Sequence, residues 1–249
     1  MSRQVKKNGG KAPSHTVEPQ RFRLLKRRLN QAIPEPRCEL DHQDAWQLLI
    51  ATILSAQSTD KKVNEVAPKL FRLHPTPASL AQAPPGEIES LVKSTGFFRN
   101  KTRSIQGASQ LIVEKHGGEV PQTLKELVEL PGVARKTANV VLGTVFRIPT
   151  GIVVDTHAGR VARRLELTRE TDPQKVERDL CGLFPRKEWV DAGHRLVLHG
   201  RYVCQARAPR CGECPLNEGC PAREVEANAT VKARTGWEKA LVESRGQQL

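Results

Sequence analysis

Leu130-Pro-Gly-Val-Ala-Arg-Lys-Thr-Ala138 decides how the rest of this chain is read. Pro131-Gly132 supplies a tight turn. Ahead of it Leu124, Leu127, Val128 and Leu130 have the spacing of a short helix, and Ala134 to Phe146 resumes helical spacing after it, so the segment predicts a helix, hairpin, helix unit. Backbone N–H groups left open at such a helix start hold phosphate oxygens without further specificity. A Pro-Gly turn alone is more often a plain connector. Lys136 falls in the first turn of the second helix beside Arg135, where the positive dipole end and a neighbouring cation both disfavour the charged amine. That setting suits a nucleophilic lysine; local sequence by itself favours the plainer alternative, a lysine that contacts phosphate and does no chemistry.

Working outward, the pattern stays helical. Phe22, Leu25 and Leu29 line one face of a helix from Glu18, whose other face is basic and reads equally as solvated or as phosphate-binding. Asp44 with Gln47 resembles a capping box opening a helix through Leu54, after which Leu54-Ser-Ala-Gln-Ser-Thr-Asp60 leads into a helix from Thr59 with a kink expected at Pro68. Shorter runs follow around 77–82 and 85–94. Gly96 closes a helix and is expected to expose the loop Gly96-Phe-Phe-Arg-Asn-Lys101, with two adjacent aromatics, before a helix that ends at Gly117-Gly118. Downstream, Asp155, Asp172-Pro173 and Lys187 are read as three more helix starts. Asp155, in Val153-Val-Asp-Thr-His157, is first of all an N-cap, and the backbone donors of a cap would also keep it ionised for catalysis. His157 reads equally as structural or functional.

The 249 residues carry 40 Lys and Arg against 27 Asp and Glu, a net charge of +13, with a pI near 9.8. This balance points to a polyanionic partner, nucleic acid first and an anionic membrane surface second. The longest nearly apolar run, Leu48 to Leu54, falls far short of the roughly 20 residues that cross a bilayer, so no transmembrane segment is expected. Three Trp, one Tyr and six Phe, with few alternating strands, argue against a large β-sandwich and for an all-α fold. Residues 1–17 look like a disordered basic arm and 226–249 like a polar tail. The arm has no apolar signal region, so a reducing cytoplasm is expected, and the six cysteines are not read as disulfides.

Four of those cysteines, Cys204, Cys211, Cys214 and Cys220, form a C-x6-C-x2-C-x5-C ladder. Thiolates at this density are usually metal ligands. Zinc usually takes two short knuckles and only Cys211/Cys214 is one, whereas a cubane offers four separated iron corners. Spacing ranks [4Fe–4S] first and leaves zinc and unligated thiols open. Arg207 and Arg210 lie in the first loop of the ladder and Arg201 beside it, so a metal there would present a basic loop to phosphate. Cys38 and Cys181 are expected to be buried small hydrophobes.

Taken in order, Leu54-Ser-Ala-Gln-Ser-Thr-Asp60, Leu130-Pro-Gly-Val-Ala-Arg-Lys-Thr-Ala-Asn-Val-Val-Leu142, Val154-Asp-Thr-His157, His199-Gly-Arg-Tyr202 and the cysteine ladder resemble the endonuclease III family of helix-hairpin-helix DNA glycosylases over roughly residues 20–222. The resemblance implies a six-helix domain over 38–149, a cluster domain from 18–37 and 150–225 holding [4Fe–4S], and damaged duplex DNA at the cleft between them. It also implies a bifunctional DNA glycosylase and AP lyase that removes oxidised pyrimidines, with Lys136 as nucleophile and Asp155 as the essential carboxylate. Gln57 matches the family's inserted glutamine and Phe97 its apolar wedge. Pro131, Gly132, Val133, Ala134, Arg135, His157, Arg201, Arg207 and Arg210 are the further candidate DNA contacts. A monomer at the bacterial nucleoid is expected. Two residues depart from the pattern: Ala134 replaces a frequent Gly and is expected at negative φ, and Gly159 follows Asp-Thr-His-Ala where a larger residue is common and is expected to leave room near the flipped base. An adenine-specific mismatch glycosylase, an architectural DNA binder and an iron–sulfur or zinc sensor are the rival readings. Lys136 counts against the first, the Lys136 and Asp155 pair against the second, and the hairpin against the third.

Overall fold

The computed structural model describes residues 17–223, so the expected tail and all of the expected arm except Val17, which is buried, lie outside the described residues. Every regular element among the described residues is a helix, and the chain divides into two compact units, one over Arg37–Val153 and the other from the segments either side of it.

The first unit is built on α2 (Ala45–Leu54), whose buried residues go right round the helix from Trp46 to Leu54 with Gln47 excepted. A helix without a polar face is stable only when others surround it. Around it stand α3 (Asp60–Leu73), α4 (Pro77–Gln82), α5 (Pro85–Val92), α6 (Phe98–His116), α7 (Leu124–Leu127) and α8 (Arg135–Thr144), with α2 packed on α3, α6 and α8. Leu70, Leu80, Ile88, Ile105, Ile112, Leu127 and Leu142 complete the core. Asp44 accepts the Gln47 N–H at 2.8 Å, but the Gln47 side chain accepts from Gln43 N–H rather than from Asp44, so only half of the expected capping box forms. The helix α3 runs through Pro68 as one element. The loop expected over Gly96–Lys101 is corrected: only Gly96 and Phe97 lie outside helices, because Phe98 turns inward against the core and α6 begins there.

The second unit joins α1 (Pro19–Ala32) to α9 (Thr156–Arg164), α10 (Pro173–Leu183), α11 (Trp189–Tyr202) and the cysteine segment. Lys187 falls in a 3-10 turn over Arg186–Glu188, and α11 starts two residues later than Lys187. Leu25 and Leu29 bury the apolar face of α1, and Phe22 meets Phe184 edge to face at 5.1 Å. The basic side of α1 is largely used within the unit. Arg21 donates to the Leu165 carbonyl at 2.8 Å, Lys26 pairs with Glu188 at 3.1 Å, and Arg28 reaches the Pro215 carbonyl at 3.3 Å as well as Glu218. In α11, a Cβ on Gly200 would stand 2.9 Å from both Cβ and carbonyl oxygen of His157, so glycine there lets α11 pack closely on the start of α9. Cys38 and Cys181 are half-buried rather than buried; Cys38 packs at the margin of the first unit's core.

Candidate functional site

The hairpin glycine is fixed twice over. Gly132 has φ +77°, and a Cβ there would lie 2.7 Å from Cβ of Ser104 in α6 and 3.3 Å from Cγ2 of Ile53 in α2. Pro131 sits over Gly107, one turn further along α6. Val133 is buried beneath the turn and its N–H closes on the Leu130 carbonyl at 3.1 Å. Ala134 has φ −86°, the negative value expected of it, and stands at the N-cap of α8 with no side chain to offer. The starts of α2, α3, α9 and α10 are each closed by an Asp or Thr oxygen, whereas α8 leaves its first-turn N–H groups without such an acceptor. Lys136 is exposed at the second position of that turn. Arg135 is half-buried, with its guanidinium 3.5 Å from the Thr150 carbonyl.

Gln57 and Phe97 share an unusual backbone state, with φ of 53° and 47°. Left-handed conformations cost a side-chain-bearing residue about 1–3 kcal/mol, and such strain concentrates at ligand-contacting positions. Gln57 is exposed in the turn that leaves α2. Phe97 is 64% exposed, so its ring gains little from folding either. The two adjacent aromatics therefore divide: Phe98 anchors, with Arg99 5.5 Å over its ring, and Phe97 projects. Next to them is a residue that the sequence reading missed. Lys101 is 5% exposed and its Nζ donates to the Thr95 carbonyl at 2.7 Å; burial pushes the ammonium below the usual lysine range. The signal that marks it is position, since Phe98, Lys101, Ile105, Ala108 and Ile112 make one inward stripe of α6.

In the second unit Asp155 is the N-cap of α9, its Oδ1 accepting the Ala158 N–H at 2.8 Å. Arg160, also missed, ties this helix down: its guanidinium donates to the carbonyls of Gly200 at 2.7 Å and Cys204 at 3.0 Å and lies 3.2 Å from Nδ1 of the half-buried His157. A Cβ on Gly159 would meet only Arg163 and Val154, at 3.4 and 3.7 Å.

The four ladder cysteines line one pocket with Arg164, His199 and Asn217. Arg164 donates to the carbonyls of Gln205 at 2.6 Å and Ala206 at 2.9 Å and to the Cys204 sulfur at 3.3 Å, while Asn217 donates to the Cys211 carbonyl at 2.8 Å. Burial and then the neighbouring thiols push Cys214 up to about 12. Thiols gathered in this way are held as thiolates only when a metal compensates their charge. Among the described residues no three Cys, His, Asp or Glu side chains converge on a single ion. Four thiolates around one pocket are the donor set that a [4Fe–4S] cluster takes. Arg207 is exposed; Arg201 and Arg210 are half-buried.

The sequence-predicted residues are thus shared between the units. Gln57, Phe97, the hairpin and Lys136 belong to the first, and Asp155, His157, the cysteines and their arginines to the second. Residues 50–186 match the HhH-GPD superfamily of base excision DNA repair proteins, and residues 204–220 match the iron-sulfur binding domain of endonuclease III. Helix-hairpin-helix base excision repair proteins are therefore the class. Endonuclease III of Synechocystis sp. is 53% identical over 79% of this chain and 90% of its own length, and that of Bacillus subtilis 44% identical over 78% and 88%. A solved non-covalent endonuclease III–DNA complex superposes with a TM-score of 0.79 at 41% identity, covering 83% of this chain and 97% of that one. The chain belongs to the endonuclease III family.

Proposed function

We propose that this DNA glycosylase and AP lyase of base excision repair removes oxidised pyrimidines from duplex DNA through a Schiff base on Lys136. The observation that carries the reading is Lys136 exposed at the start of α8, behind a hairpin whose first-turn N–H groups have no side-chain cap. Those donors and Arg135 hold the phosphates flanking the lesion. An oxidised base leaves the stack at less cost than an intact one, which costs a few kcal/mol. Gln57 fills the vacated space and Phe97 props the opened step. The Lys136 amine attacks the deoxyribose C1′ with its lone pair as the glycosidic bond breaks, and the base leaves with the bonding pair and is protonated by the proton that the amine gives up. Ring opening gives an iminium ion. It accepts the C2′–H electron pair when that proton is removed, the pair then expels the 3′ phosphate, which departs with the C3′–O bonding electrons, and water hydrolyses the remaining imine to free Lys136. Asp155, held in place by the Ala158 N–H, stabilises the sugar cation as it develops and takes the proton from the amine.

Cys204, Cys211, Cys214 and Cys220 hold the [4Fe–4S] cluster, which supplies a structural cross-link when bound. Arg164 and Asn217 fix the loops between these cysteines, so that Arg207 and Arg210 meet the backbone from one side. The protein works as a monomer at the nucleoid, and no described helix is long and apolar enough to cross a membrane. A duplex with one thymine glycol, beside the same duplex undamaged, tests the reading. Free base and a strand ending in a 3′ unsaturated aldehyde are expected from the damaged duplex alone. Equal binding to both, with no base released, would leave an architectural DNA binder.

A further inference from the structure

Lys101 stands at the fourth position of α6 with only 5% of its surface exposed, although an ammonium group is among the costliest to bury. Its Nζ donates to the Thr95 carbonyl at 2.7 Å, and among the described residues it is paired with no carboxylate. Its own backbone N–H donates to the Phe97 carbonyl at 3.0 Å. One residue therefore grips the chain on both sides of Gly96-Phe97, two consecutive residues with φ of 71° and 47°. Between the two grips projects Phe97, the most exposed large apolar side chain among the described residues. A residue that merely filled this part of the core would be better as methionine, which has a similar unbranched shape and no charge to desolvate. Burial also withholds the Lys101 amine from any substrate carbon, so it is no second nucleophile.

We propose that Lys101 is a positioning residue whose buried ammonium, bonded to the Thr95 carbonyl, fixes the left-handed turn that aims Phe97 into the base stack beside the flipped nucleotide. The proposal rests on the reading of Phe97 as the wedge. A ring that must enter between stacked bases is productive over a narrow range of directions, and without the clamp the Phe97 backbone is free to relax to the right-handed or extended region.

The test compares wild type, Lys101→Met, Phe97→Ala and the double variant on a duplex with 2-aminopurine beside one thymine glycol. Fluorescence reports unstacking and single-turnover base release reports excision. Lys101→Met should slow base release roughly tenfold, the size of one lost hydrogen bond to a charged group. It should shrink the fluorescence change and leave binding to undamaged duplex and the thermal melt intact. In the Phe97→Ala background it should add nothing, because residues acting through one another are not additive. Wild-type fluorescence and rate in Lys101→Met, or an additive loss in the double variant, overturns the proposal. A wild-type signal from Phe97→Ala overturns the wedge reading itself. Should Lys101→Met fail to fold, Lys101→Gln, polar but one bond shorter, carries the same comparison.

Discussion

The Asp155 carboxylate accepts the Ala158 N–H, so it caps α9 whatever else it does. Asparagine caps a helix as well as aspartate but carries no charge, which separates the two roles. Asp155→Asn should keep the melting temperature and slow excision by about 10²- to 10⁴-fold, whereas Asp155→Ala should also lose about 1 kcal/mol of stability. Melts and single-turnover rates check both, and an Asn variant of wild-type rate would leave Asp155 a cap only. The helix starts that hold Asp155 and Lys136 were legible from local residue types, whereas the roles proposed for the two came from the family resemblance. Lys101 was not, since a lysine in a helical stripe reads as surface and its partner is a backbone carbonyl that no sequence spells out. Arg160 hid for the same reason, bonding to the carbonyls of Gly200 and Cys204, some forty residues on.

At the level of elements, helix starts written in a capping side chain were readable, whereas the starts of α6 and α11 and several helix ends were not. Asp44, Thr59, Asp155 and Asp172 announce their helices because the capping oxygen belongs to the side chain. Ends written in glycine, such as Gly117, show as clearly. Gln57, Phe97, Arg147 and Glu166 adopt the same left-handed state with no glycine to mark it. The end of α9 shows what holds such a residue. Leu167 N–H donates to the Ala162 carbonyl at 2.8 Å and Glu166 N–H to the Arg163 carbonyl at 2.9 Å, a Schellman ending with Glu166 at φ 50°. Glu166→Gly should therefore stabilise the protein by about 0.5–1 kcal/mol, relief of the left-handed strain outweighing the added freedom of the unfolded chain. The exposed contact of Glu166 with Arg21 at 3.6 Å contributes little against this. A lower midpoint in urea would mean that this contact matters more than the backbone. Gly200 is glycine for another reason, the close approach of a second helix, and Gly132 combines such an approach with its φ of +77°.

For the whole molecule, the excess of basic residues named the class of partner and the cysteine ladder ranked its cofactor, but neither says where the basic side chains go. Much of the α1 charge that reads as a phosphate-facing surface is spent inside the second unit, on the Leu165 and Pro215 carbonyls and on Glu188 and Glu218. That arrangement makes α1 depend on the cluster segment, since Leu24 and Leu25 also pack on Gly219. Cys214→Ser should abolish the visible iron–sulfur absorbance and raise amide exchange in α1 and residues 204–220, while α2 to α8 stay protected. Equal loss of protection in all helices would show that the cluster supports both units.

If Lys136 forms the covalent intermediate, borohydride trapping on a duplex with one oxidised pyrimidine reads it directly. Wild type should give a reduced protein–DNA adduct and Lys136→Ala none, with DNA binding retained by both. An adduct that survives in Lys136→Ala, or none with wild type despite base release, would contradict the account and return Lys136 to a phosphate contact.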